Sequence, residues 1–144
     1  MKDNIDSKTN SKLILDKYYQ PIFPAHYLYV MKNGTMKDIQ DLFLWDDGVE
    51  ISEEDFDKFK GITYCFVMRK DDPDKHLASL IVLNKKTIEK GLDIYDICSH
   101  EASHAAFHIL DYCSIRLSDA TTEVFSFMTG WITRCCIETY NKKA

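Results

Sequence analysis

His100, Glu101 and His104 are the residues of this chain whose types and spacing suit metal chemistry. Two histidines four positions apart in a helix lie on one face, a turn from each other, with Cβ atoms about 6 Å apart. Both imidazoles then reach a single ion at about 2.0–2.1 Å, the zinc–nitrogen distance. Glu101 follows the first histidine and stands beside the ion, where its carboxylate can hold a water. Zinc takes two imidazoles and a carboxylate and leaves one position for that water, whose pKa it lowers toward about 7. The expected cofactor is therefore one Zn2+, with Glu101 accepting the water proton as general base.

A third ligand must come from elsewhere. His108 continues the series, but it stands eight residues from His100, about 12 Å along a helix axis, so one ion cannot take both. It reads as a packed histidine. Glu123 is the expected third ligand. A short loop after Cys113 reverses the chain, and a second helix then returns antiparallel to the first, its opening turns beside the C-terminal half of the motif helix. Gly130, on the same face as Glu123, is expected to let the two helices approach. Asp119 is the fallback ligand; Asp111 is too near in sequence and points away.

The elements that must position these groups follow from composition and periodicity. Residues 1–10 read as a disordered leader. A short helix is expected over Lys12–Tyr19, stopped by Pro21 and Pro24. Ala25–Lys32 has strand composition. After Asn33-Gly34, Thr35 and Asp38 form a capping box for a helix bearing Met36, Ile39, Leu42 and Phe43. Asp46–Glu50 lacks the register of a calcium loop and reads as a solvated acidic turn. Ser52 and Asp55 cap a short helix to about Lys60. Ile62–Arg69 and His76–Asn84 read as strands joined by a polar hairpin loop, the second buried on both faces over Leu80–Leu83. A connection over Thr87–Gly91 leads to the motif helix, Asp93–Cys113. A second helix follows over Asp119–Tyr140, with Ser118 as N-cap. This pattern predicts an α+β fold in one domain over residues 11–144: a sheet of about three strands packed on the motif helix and an antiparallel C-terminal helix.

Bulk properties remove several functions. A formal net charge of -5 and only three arginines (Arg69, Arg116, Arg134) argue against a nucleic-acid surface. Met1–Lys12 is polar and lacks the apolar run of a signal peptide, and the apolar runs are strand-sized, so neither export nor membrane insertion is expected. Five cysteines (Cys65, Cys98, Cys113, Cys135, Cys136) contain no C-x-x-C pair. They read as reduced thiols of a cytoplasmic protein.

His100-Glu101-Ala102-Ser103-His104 with Glu123 resembles the gluzincins, zincin metallopeptidases whose third ligand is a downstream glutamate. Ser99–His108 followed by Thr122–Ile132 is similar to small zincin-like proteins of phages and mobile elements, which read H-E-x-x-H and then an E-x-x-x-Y-x-x-G-W-I-like segment. The similarity covers about residues 60–137, and Phe127 stands where tyrosine is usual. The three-histidine class with H-E-x-x-H-x-x-G-x-x-H does not fit, because Ala105, Ala106, Phe107 and His108 follow His104. The resemblance implies a compact zincin-like domain with His100, His104 and Glu123 on zinc and Glu101 as catalytic base. It implies hydrolysis of a peptide bond in a peptide or protein substrate through a zinc-bound water. A peptidase also needs a group for the oxyanion, and His76, Tyr95, Tyr112, Arg116 and Arg134 are the candidates. A zincin cleft binds peptide along a sheet edge, and His76–Asn84 is the candidate edge strand. The alternative is a non-enzymatic metal-binding or protein-interaction module on the same scaffold.

Overall fold

Alternation of side chains along the strands sorts this chain into layers. The computed structural model describes residues 12–20, 22–23, 26–84 and 93–143. Five strands, β1 (Ile14–Tyr19), β2 (Tyr27–Lys32), β3 (Phe43–Trp45), β4 (Gly61–Arg69) and β5 (Leu77–Leu83), join one sheet in the order β1-β2-β5-β4-β3. The helices are α1 (Met36–Leu42), α2 (Asp93–Tyr112) and α3 (Thr122–Asn141). Leu28, Val30, Ile81 and Leu83 face α2 and α3, while Tyr29, Met31, Leu80 and Val82 face Ile39, Phe43, Ile51 and Phe56. Residues two apart on a strand share a face, so β2 and β5 each feed both cores.

The fold is α+β, as expected, but its sheet has five strands rather than about three. Two were missed. Lys12–Tyr19, expected as a helix, contains β1, which pairs antiparallel with β2 from Ile14↔Lys32 to Tyr19↔Tyr27. Pairing and burial outweigh a weak helical pattern in so short a segment. Phe43, read as the last apolar residue of a helix, instead opens β3; it is fully buried, with its ring 5.1 Å from Tyr29. The capping box at Thr35 and Asp38 is present. The short helix read after Ser52 is a single 3-10 turn, Phe56–Lys58, and Asp55 before it makes no side-chain cap.

β5 is an inner strand, parallel to β2 on one side and antiparallel to β4 on the other. Ala78 to Leu83 are all buried, as expected of a strand covered on both faces. It therefore cannot be the substrate-binding edge expected of His76–Asn84. The register between β4 and β5 slips between Tyr64 and Val67, and Phe66 adopts φ 62° there. This bulge turns Phe66 toward α2, its ring 6.0 Å from His108 and 5.9 Å from Tyr112.

The ends of the helices set their relative position. Ile115 N–H donates to Leu110 O at 2.8 Å and Ser114 N–H to Asp111 O at 2.9 Å, with Ser114 at φ 62°. This is a Schellman stop with serine at the left-handed position. Glycine carries no Cβ penalty there, so Ser114→Gly should stabilise the fold by about 0.5–1 kcal/mol in urea unfolding. α3 starts at Thr122, later than expected, and Ser118 is not its cap. The Thr121 hydroxyl is engaged in the preceding loop, donating to Arg116 O at 2.6 Å. At the far end, the buried Lys32 ammonium donates to Tyr140 O and, at 2.8 Å, to Lys142 O. A cation on the last carbonyls of a helix complements its dipole and ties α3 to β2.

His26 is buried below the helix layer, its Nε2 3.0 Å from Ser79 Oγ. Burial pushes its pKa down to about 4. The unfolded imidazole titrates near 6.5, so the unfolded state takes up the proton first. Stability from neutral His26 is complete above about pH 6.5 and falls as the pH drops toward 4, by about 3 kcal/mol in all. Denaturant midpoints of the wild type and His26→Gln, measured across this range, should converge as the pH falls.

The expected leader, the stops at Pro21 and Pro24, and the Thr87–Gly91 connection lie outside the described residues. Among those residues, no helix is long and apolar enough to cross a membrane.

Candidate metal centre

The middle of α2 divides its residues between solvent and core. Cys98, Glu101, Ala102, Ala105 and Ala106 are buried, while His100 and His104 are exposed on the outer face. The helical step of about 100° per residue produces this split and brings His104 back into line with His100. Their Nε2 atoms are 3.1 Å apart and their rings meet edge to face, with centroids at 4.8 Å. Two nitrogens bound at about 2.05 Å to a tetrahedral ion would stand about 3.3 Å apart. The pair therefore fits a shared metal with a shift of tenths of an ångström.

Glu101 turns inward, under β4, and is 6% exposed. Its Oε2 accepts a hydrogen bond from Thr63 Oγ1 at 2.5 Å, and its Oε1 stands 4.0 Å from His100 Nε2. Cys65, two residues on from Thr63, has its thiol pushed up to about 12 by burial and by the Glu101 charge. This thiol is protonated at neutral pH and supplies neither a nucleophile nor a ready metal ligand. A cleft of about 280 Å³ opens beside the carboxylate, lined by Lys60, Gly61, Asp96, Ile97, His100 and Glu101. Lys60 stands at its rim, 3.7 Å from Asp93.

Glu123 is exposed in the first turn of α3. His100, His104 and Glu123 do not form a set with ligand atoms mutually within 4.8 Å. The two helices explain why. Phe107 and Phe125 face each other at 6.4 Å, which sets the antiparallel register and places Glu123 beyond the level of His104, toward the end of α2. Gly130 is not the close-approach residue expected of it, since an added Cβ would meet nothing within 4 Å. The buried alanines of α2, at 102, 105 and 106, face the core instead. Asp119 is exposed in the loop before α3. His108 packs against Phe66 and Phe107, as expected of a packed histidine.

None of His76, Tyr95, Tyr112, Arg116 and Arg134 lines the cleft. His76 sits in the turn between β4 and β5, at the other end of β4 from Gly61. There Asp72, Asp74 and His76 bring their ligand atoms within 4.8 Å of one another, the one such set among the described residues. Asp72 accepts from the Asp74 N–H and the His76 N–H, both at 3.0 Å, and lies 2.9 Å from His76 Nδ1. These bonds close the turn and account for the cluster.

Sequence reading missed Lys60, Gly61, Thr63 and Asp96. Asp96 was visible as the residue one helical turn before His100. The other three sit on or beside β4, and period-two alternation put Gly61, Thr63 and Cys65 on one face; which face meets α2 is a tertiary fact. Compared with known proteins, the chain matches no family model, no curated protein and no solved structure.

Proposed function

We propose that this chain is a zincin-like, zinc-dependent metallopeptidase centred on His100, Glu101 and His104. The observation that carries the reading is the pair of histidine nitrogens 3.1 Å apart with a buried, anchored carboxylate 4.0 Å from that of His100. Zinc, when bound, supplies a Lewis acid that polarises a carbonyl and acidifies water. His100 and His104 would hold it, with Glu123 as the proposed third ligand, drawn in from the first turn of α3. Glu101 accepts a proton at Oε1 and returns it to the leaving amine. Lys60, at the rim of the cleft, offers the charge that a developing oxyanion needs.

The sheet favours a peptide as substrate. β3 covers β4 only at Val67–Arg69, so no strand among the described residues pairs with the outer edge of Ile62–Cys65. An extended peptide adding to that edge would run over the cleft, held by main-chain hydrogen bonds. The test is zinc content after reconstitution, together with cleavage of a mixed-sequence quenched-fluorescence peptide library. One equivalent of zinc and metal-dependent cleavage support the reading; failure to bind zinc overturns it.

A second reading, a metal-binding or interaction module without hydrolysis, is favoured by one observation. The five groups first considered for the oxyanion all lie off the cleft lining. Stoichiometric zinc with no cleavage of the library would select it.

A further inference from the structure

We infer that β4 is a positioning strand for Glu101: Thr63 pins one carboxylate oxygen, Gly61 leaves the space the side chain needs, and together they hold the base beside the histidine pair while keeping it off the metal. The inference rests on the reading of Glu101 as general base.

A buried carboxylate must be hydrogen-bonded, or its burial is costly. Glu101 is 6% exposed, and the Thr63 hydroxyl donates to its carboxylate. That hydroxyl has one proton and two acceptors within reach, Oε2 at 2.5 Å and the Glu101 backbone oxygen at 3.2 Å. The shorter contact has the length of a charge-assisted O–H···O⁻ bond, so the proton goes to the carboxylate. Thr63 is itself held in the ladder opposite Ile81. Oε2 is thus fixed to the sheet, and Oε1 is the oxygen left 4.0 Å from His100 Nε2.

Gly61 contributes by what it lacks. A Cβ there would stand 2.9 Å from Glu101 Cγ, 2.9 Å from Ile97 Cγ2 and 3.4 Å from Glu101 Cδ. Only a residue without a side chain lets β4 pass this close to α2, and Gly61 and Thr63 share a face because they are two apart. An unpinned carboxylate beside a divalent cation moves onto it as a ligand, which would fill the position that water needs. A base for hydrolysis has to be near the ion and restrained from binding it.

Two measurements test this, one without metal. Crystal structures of the metal-free wild type, Thr63→Ser, Thr63→Val and Gly61→Ala report the position of Glu101. Wild type and Thr63→Ser should share one rotamer with the hydroxyl contact intact. Thr63→Val and Gly61→Ala should displace or disorder the carboxylate; an unmoved Glu101 in either folded variant overturns the inference, and Gly61→Ala decides it if Thr63→Val does not fold. The second measurement is the visible spectrum of each protein loaded with Co2+. Wild type and Thr63→Ser should give the same four-coordinate bands, and Thr63→Val bands shifted in position as the Glu101 carboxylate replaces water on the ion. Equal spectra despite a displaced Glu101 overturn the claim that Thr63 keeps the base off the metal. Absence of Co2+ binding by the wild type instead overturns the metal reading itself, and the metal-free structures still decide the anchor.

Discussion

Glu101→Gln is expected to lower peptide cleavage by about 10²–10⁴-fold and leave zinc bound at one equivalent. The substitution keeps shape and volume, and the Gln amide oxygen can still accept from Thr63, so the packing of β4 on α2 survives. What it removes is the ability to take a proton at the oxygen facing His100, 4.0 Å from its Nε2. Because His100 and His104 present their nitrogens without help from Glu101, metal content should be unchanged. Elemental analysis and cleavage of the same peptide library, run on one preparation, check both halves. Loss of zinc along with activity would make Glu101 a ligand, and undiminished cleavage would move the base elsewhere.

His104→Ala should reduce zinc affinity by more than the ~10–100-fold that follows loss of a group that only orients a ligand. The side chain is exposed, so the denaturation midpoint should stay close to that of the wild type. A fluorescent zinc chelator in competition with each variant reads the affinity. Glu123→Ala, measured beside it, carries more information. In the structure Glu123 stands outside mutual 4.8 Å reach of the two histidines, so its ligation requires movement of the first turn of α3. A fall in affinity comparable to that of His104→Ala would assign the third position to Glu123. An unchanged affinity would pass it to another carboxylate, with Asp96 an alternative because it lines the cleft with His100.

Much of this molecule was legible in its residues. Helical spacing placed His100 and His104 on one face, and their nitrogens do converge. The capping box at Thr35 and Asp38, strands at Tyr27–Lys32, Gly61–Arg69 and Leu77–Leu83, and a long motif helix all stand within a few residues of where periodicity put them. These are local signals: a cap, an alternation or a turn is decided by side chains within reach along the chain. β1 and β3 were not legible, because β3 has only three residues and β1 owes its extended form to pairing with β2, which its own residues do not announce. Ser118 failed as a cap for a related reason, since the loop recruits Thr121 and delays the helix.

Residue types and spacing alone pointed to the α2 residues that could meet one ion, to a sheet before them, and to an α+β chain. The packing of layers added that β5 is central, that β3 covers β4 only at Val67–Arg69, and that Glu101 turns inward to Thr63 through the gap left by Gly61. Strand order and the contact of one face with one helix depend on how layers stack, and the spacing of side chains within an element carries no information about which layer will cover it.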